Sequence, residues 1–219
     1  MDLPVWQKLY EELGDQGFTI VAVAMDSRGE RAVRGPITKA KTTYLSLIDR
    51  DHVVAELYNM VNVPQAVWID ESGSIVRPTE VSGAALTLDL RKLRRRRQIY
   101  LDAIRDWVAK GPASEHVFSP DEARERIPTF TPQIAEAQAH FHLGRDLWEQ
   151  GNRDEGAAFL RRATELNPDS WNFFRQMKNL EHIFGSGGPE FMRRARRWRK
   201  EGKDYYPLPD MASMREVRD

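Results

Sequence analysis

Asn62-Val63-Pro64-Gln65-Ala66-Val67-Trp68-Ile69-Asp70 is the stretch whose reading decides the fold. Ala66–Asp70 is rich in residues that fit a pleated, half-buried surface and reads as a strand. Glu71-Ser72-Gly73-Ser74 is a hairpin turn, and Ile75–Val81 returns from it. Upstream, Asp51 stands where it can N-cap a helix over His52–Met60, with Val53, Val54, Leu57 and Tyr58 turned inward. Leu45–Ile48 is short and apolar, and Glu30–Lys41 is weakly helical and interrupted by Gly35-Pro36. Phe18–Met25 is almost wholly apolar and β-branched, which predicts a strand buried on both faces, as in a parallel sheet. Over Pro4–Gln16, Val5, Trp6, Leu9, Tyr10 and Leu13 fall on one helical face. Downstream, Leu86–Lys110 reads as a long helix with Leu90, Leu93, Ile99, Tyr100, Ile104, Trp107 and Val108 as its apolar set.

In order and spacing, Leu3-Pro4, the strand Phe18–Asp26 and the run Asn62–Asp70 resemble the TlpA/ResA-type thiol-disulfide oxidoreductases and their peroxiredoxin relatives. The resemblance runs from residue 3 to about residue 109. It implies an α/β, thioredoxin-like domain over residues 1–110 that is N-terminally incomplete. The Cys-x-x-Cys of such proteins falls about eight and five positions ahead of the proline matching Pro4, which lies before Met1. The resemblance also implies that a central strand separates the strands matching Phe18–Met25 and Ala66–Asp70. Without it, two apolar strands keep unpaired edges, and such edges invite association. Three explanations stay open: a shortened form of a longer protein, a strand supplied by a partner or a second copy, or closure of the sheet by rearrangement.

Among the 219 residues there is no cysteine. That excludes disulfides, thiolate metal sites and thiol catalysis by these residues, because the nucleophile would be the thiolate. Lys and Arg number 33 against 33 Asp and Glu, so no net field steers the chain to nucleic acid or an anionic membrane. No run approaches the roughly 18 apolar residues of a membrane span. The segment Met1-Asp2-Leu3-Pro4 carries neither a basic nor an apolar leader region, so the expected location is cytoplasmic, with export of a longer form left open.

Residues 111–132 read as a linker, punctuated by Gly111-Pro112, Ser119-Pro120, Ile127-Pro128 and Thr131-Pro132, with a helical turn over Asp121–Arg126. Residues 133–205 read as an all-α domain. Over Ala137–Pro168, Leu143-Gly144, Leu147, Gly151, Ala163 and Asn167-Pro168 occupy positions similar to those of a tetratricopeptide repeat, whose period is roughly 34 residues. Gly156 departs from that pattern, and is expected to weaken its helix by about 0.5–1 kcal/mol relative to Ala. Ser170–Phe184 and Pro189–Glu201 read as a second, degenerate helical pair. One repeat cannot bury its own face, so this pair is expected to cap the first, or the module to pack on the first domain. The tail, residues 206–219, is expected to fray.

Val63-Pro64 is the strongest site signal. The resemblance implies a cis bond there, with Asn62, Val63 and Pro64 offering backbone groups to an extended polypeptide; without a cysteine this is a docking surface and not a reaction centre. Asp26 and Ser27, with Arg28, follow the first strand at the end where open α/β sheets place ligands. Asp49, Asp51 and His52 resemble an acid–base cluster but read more simply as a turn and a helix cap. His140 and His142 point to different helix faces and make poor joint metal ligands, one expected packed and one exposed. The runs Arg91–Arg97 and Arg193–Lys200 read as solvated helical faces balanced by nearby carboxylates. No catalytic residue, metal or cofactor is assigned. The leading expectation is a thioredoxin-like redox-family protein, of thiol-disulfide oxidoreductase or antioxidant type, inactive without cysteines. The alternative is a non-catalytic scaffold binding a protein or peptide through its helical repeats, and association of copies through strand edges is a further expectation.

Overall fold

The computed structural model describes residues 3–84, 89–181 and 188–217. The first part of the chain runs α1 (Leu3–Leu13), β1 (Val21–Ala24), α2 (Glu30–Ala40), β2 (Leu45–Ile48), α3 (Val53–Leu57), β3 (Gln65–Ile69), β4 (Ile75–Val81) and α4 (Leu90–Lys110). The fold is mixed α/β. Leu45–Ile48 is a strand rather than a bare apolar run, and Pro36 lies inside a continuous α2. Residues 86–88 of the expected long helix lie outside the described residues.

The strands form two separate two-stranded sheets, β1 with β2 in parallel and β3 with β4 antiparallel. The second sheet is well covered. Trp68 stacks on Trp107 at 5.0 Å and donates its indole N–H to the Tyr100 hydroxyl at 2.9 Å, and Leu9 and Leu13 of α1 share that core. The first sheet is not. Val21, Leu45 and Leu47 are 53%, 55% and 45% exposed, which corrects the expectation of a strand buried on both faces. Among the described residues β1 has a strand, β2, on one edge only, and the apolar side chains of the pair stay partly or largely exposed.

The second part comprises α5 (Pro120–Glu125), α6 (Pro132–Glu149), α7 (Arg153–Leu166), α8 (Trp171–Glu181), α9 (Pro189–Lys200) and α10 (Ala212–Arg215). Residues 182–184 of the expected third repeat helix lie outside the described residues. The pair α6/α7 crosses at two glycines. A Cβ on Gly156 would stand 2.7 Å from the Gly144 carbonyl oxygen, and one on Gly144 would stand 2.9 Å from that of Gly156. Gly156 therefore permits a close approach of two backbones, and the expected weakening of its helix misses its role. Both packing expectations for the module are met. Phe141, Leu160, Trp171, Phe173 and Trp198 make a helical core, while α6 and α8 also touch the first part.

The segment between the parts is not a free linker. The Phe118 N–H donates to the Val76 carbonyl at 3.0 Å, and Ser119 and Glu122 form a capping box at the start of α5. The tail is not frayed either. Met211, Met214 and Val217 are buried in the first core beside α4. Arg77, 1% exposed, gathers these pieces: its guanidinium pairs with Glu80 at 2.8 Å, donates to the carbonyls of His116 and Asp210, and lies over the rings of Trp68 and Phe118. The arginine runs are only partly solvated. Arg96 is buried and donates to the Val217 carbonyl, and Arg194 lies over the rings of Trp171 and Phe174.

Candidate functional site

The carboxyl end of β1 and the loop before β3 are joined by one element, α8. The Asp49 N–H donates to the Ala24 carbonyl, so Ala22 and Ala24 turn their amides toward β2. By alternation, Val21, Val23 and Met25 turn theirs to the opposite edge. On that edge the Gln176 carboxamide donates to the Met25 carbonyl at 3.1 Å and accepts from the Ser27 N–H at 3.2 Å. A residue of a parallel strand makes this same pair of bonds to positions i−1 and i+1 of its neighbour. Gln176 thus stands in for a single strand residue opposite Asp26. Val21 and Val23 have no strand beyond them among the described residues.

Ser27 and Asp26 are held closely. The Asp26 carboxylate is taken up by the Arg28 guanidinium at 2.7 Å and 2.9 Å and by the Arg28 N–H. The Ser27 hydroxyl lies 3.1 Å from His52 Nε2, with both residues buried. This pair lacks what nucleophilic catalysis needs, which is a third group orienting the base. His52 Nδ1 is buried with no hydrogen-bond partner. The Asp49 carboxylate is instead occupied by the N–H groups of Val53, Val54 and Ala55. Asp49, not Asp51, therefore caps α3. Asp51 pairs with Arg145 of α6 at 2.7 Å. Burial pushes the His52 imidazole down to about 4, against a partial pull upward from Asp49, so it is neutral at pH 7. Its ring meets Phe141 of α6 edge-on at 4.9 Å.

The Asn62–Pro64 loop lies at the other end of α8. The Val63–Pro64 bond is cis. The N–H groups of Trp171 and Asn172 donate to the Val61 carbonyl at 2.7 Å and 3.0 Å, satisfying donors that a helix start leaves free. Asn62 is buried: its carboxamide accepts from the Val63 N–H and donates to the Tyr205 carbonyl, both at 2.8 Å. The Val63 carbonyl accepts from the Tyr206 hydroxyl at 2.9 Å. The backbone groups expected to meet a polypeptide are thus engaged within the chain, the Val63 carbonyl by Tyr206, the Val63 N–H by the Asn62 carboxamide and the Asn62 N–H by the Gln65 carboxamide. The Asp26–Ser27 loop and the Asn62–Pro64 loop are brought to one helix, α8, but make no direct hydrogen bond among those described.

The His142 Nε2–H donates across the junction to the Glu56 carboxylate at 2.6 Å, and that bond raises its pKa. His140 stacks on Phe159 at 5.3 Å, and both histidines are half-buried, so neither the packed nor the exposed expectation describes them. Among the described residues no group of three or more His, Asp or Glu is placed to hold a metal ion, and no helix is long and apolar enough to cross a membrane. Sequence reasoning passed over Gln176, Tyr205, Tyr206, Arg77 and Arg145. For the tyrosines a signal was present: two adjacent aromatics in a charged, proline-rich tail, followed by Met211, Met214 and Val217 at helical spacing. For Gln176 and Arg145 nothing local distinguishes them from surface residues.

No protein-family model, no curated protein and no solved structure matches this chain.

Proposed function

We propose that this chain is a cysteine-free, polypeptide-binding member of the thioredoxin-like superfamily, derived from redox proteins and working without thiol chemistry. The observation that carries the reading is the far edge of β1, which has no strand beyond it among the described residues and stands beside exposed apolar side chains of the β1–β2 sheet. Backbone groups seeking a strand, next to an apolar face seeking cover, are the requirements of strand addition. Gln176 supports it by supplying one strand residue's worth of hydrogen bonds at the end of that edge.

The test is a photo-crosslinking amino acid placed at Leu47 in the native cells. Discrete heavier adducts containing another polypeptide are expected from Leu47 and absent from a control at exposed Arg199. Equal yields at the two positions would remove the support for a docking face. Separately, the purified chain should not accelerate reduction of a disulfide substrate by dithiothreitol, because it supplies no thiolate.

A further inference from the structure

A cleft of about 470 Å³ lies between α7, α8 and α9, within the size range of small-molecule sites. Its floor is apolar, made by the buried Phe174 and Met177 of α8 with Pro168 beside them. Its charged lining is unbalanced: Arg161, Lys178, Arg194 and Arg197 are set against Glu165 and Glu190, an excess of two positive charges. Both carboxylates are already committed. Glu165 pairs at 3.5 Å with Arg162, which does not line the cleft, and Glu190 pairs with Lys178 at 2.7 Å. Arg197 reaches Glu201 at 3.7 Å, while Arg161 and Arg194 have no carboxylate at ion-pair distance among the described residues.

Arg194 is the least ordinary of these cations. Its guanidinium lies over the rings of Trp171 at 5.0 Å and Phe174 at 4.7 Å, which fixes its plane. Nη2 donates to the Pro168 carbonyl at 2.5 Å, Nε is buried with no hydrogen-bond partner, and Nη1 makes no bond among those described. The Asp169 carboxylate nearby is taken by Lys203 at 2.7 Å. Burial and the neighbouring Arg197 push the Arg194 guanidinium down to about 10, against a pull upward from Asp169, so it stays charged at pH 7. A partly buried charge without a counter-ion is costly, and an anion in the cleft offsets that cost.

We propose that this cleft binds a small-molecule phosphate monoester carried on an apolar or aromatic group. The charge identifies the anion: a phosphate monoester carries about −1.5 to −2 at pH 7, which matches the uncompensated charge of the lining. Guanidinium forks fit phosphate oxygens, and Arg161, Arg194 and Arg197 bring such forks from two facing helices. The floor identifies the rest of the ligand, because Phe174 and Met177 offer an apolar body contacts that a bare ion does not use. A nucleic-acid surface would draw instead on the exposed Arg193, Arg196 and Arg199 of α9, none of which lines the cleft.

The experiment titrates phenyl phosphate into the full chain at low salt and follows backbone amide shifts. Saturable shifts around Phe174, Met177 and Arg194 are expected, with a dissociation constant at or below about 1 mM for a ligand of this size. Inorganic phosphate should bind at least about tenfold more weakly, because it leaves the floor unused. Arg194→Gln and Arg161→Gln should each weaken phenyl phosphate by about tenfold, and Arg199→Gln should leave it unchanged. Arg161 is exposed, so its substitution keeps the test open should Arg194→Gln loosen the helical packing. Absence of saturable binding to the folded chain would overturn the proposal, as would equal affinity for inorganic phosphate or equal weakening by Arg199→Gln. A short single-stranded oligonucleotide that binds more tightly than phenyl phosphate, and loses that advantage in Arg199→Gln, would overturn it in favour of a polyanion surface along α9.

Discussion

The two small sheets are alike in sequence and opposite in circumstance. Each is a pair of short strands with an apolar face, although β4 also carries Arg77 and Glu80. The β3–β4 pair is closed on by α1, α4, the segment around Phe118 and the tail, with Trp68 only 4% exposed. The β1–β2 pair shows Val21, Leu45 and Leu47 to solvent and has a second edge whose carboxyl end is met by the Gln176 side chain and which has no further strand among the described residues. Apolar strand composition specifies a need for cover without specifying what supplies it. Where the chain itself supplies the cover, the strand belongs to the core. Where it does not, the same composition leaves apolar side chains exposed.

The comparison breaks most sharply at Arg77. Arg77→Ala should cost about 3–5 kcal/mol, because it takes the guanidinium from the partly buried Glu80 carboxylate and leaves the His116 and Asp210 carbonyls without their donor. Urea unfolding measures this, and a loss below about 1 kcal/mol would contradict the closed-sheet account. The next largest effect lies on the open side, at His52. Its folded pKa, about 4, lies below its ordinary 6.5. The unfolded chain therefore binds the proton first, and stability falls as pH drops from about 7 through 4, by up to about 3 kcal/mol. His52→Asn should flatten that slope. His142 has the opposite sign. Its raised pKa gives stabilisation that is present below its unfolded pKa and lost as pH rises through the folded one. His142→Ala should remove that alkaline-side loss.

Gly156→Ala should cost about 1–3 kcal/mol by overpacking against Gly144, although Gly→Ala in a helix normally stabilises. A stabilised Gly156→Ala variant would mean that the α6/α7 crossing is looser than described. The smallest effect is the most telling for the contrast. Leu47→Lys should change the stability of the free chain by no more than about 0.5 kcal/mol, despite replacing a leucine in a strand.

Much of the element order is legible in the residues. The hairpin at Glu71–Ser74, the cis Val63–Pro64 bond and the α6/α7 helical pair all follow from local chemistry or resemblance. What is not legible depends on contacts through space. Phe18–Met25 reads the same whether or not a neighbour covers it, so its exposure could not be read from composition. Gly156 looks like a weak helix former until Gly144 is brought opposite. Arg77 and Arg96 look like surface cations, and only distant segments of the chain supply the carbonyls and rings that bury them. The tail hides its anchoring residues, Met211, Met214 and Val217, behind prolines and charge.

The most direct test of the open edge is residue-resolved amide hydrogen exchange across β1 in the free chain. Ala22 and Ala24, whose amides face β2, should be protected, while Val23, facing the opposite edge, should exchange at nearly the rate of an unstructured chain. Equal protection of Val23 and Ala24 in a monomer would mean that the edge is already filled, and the account of β1 as a docking strand would be wrong.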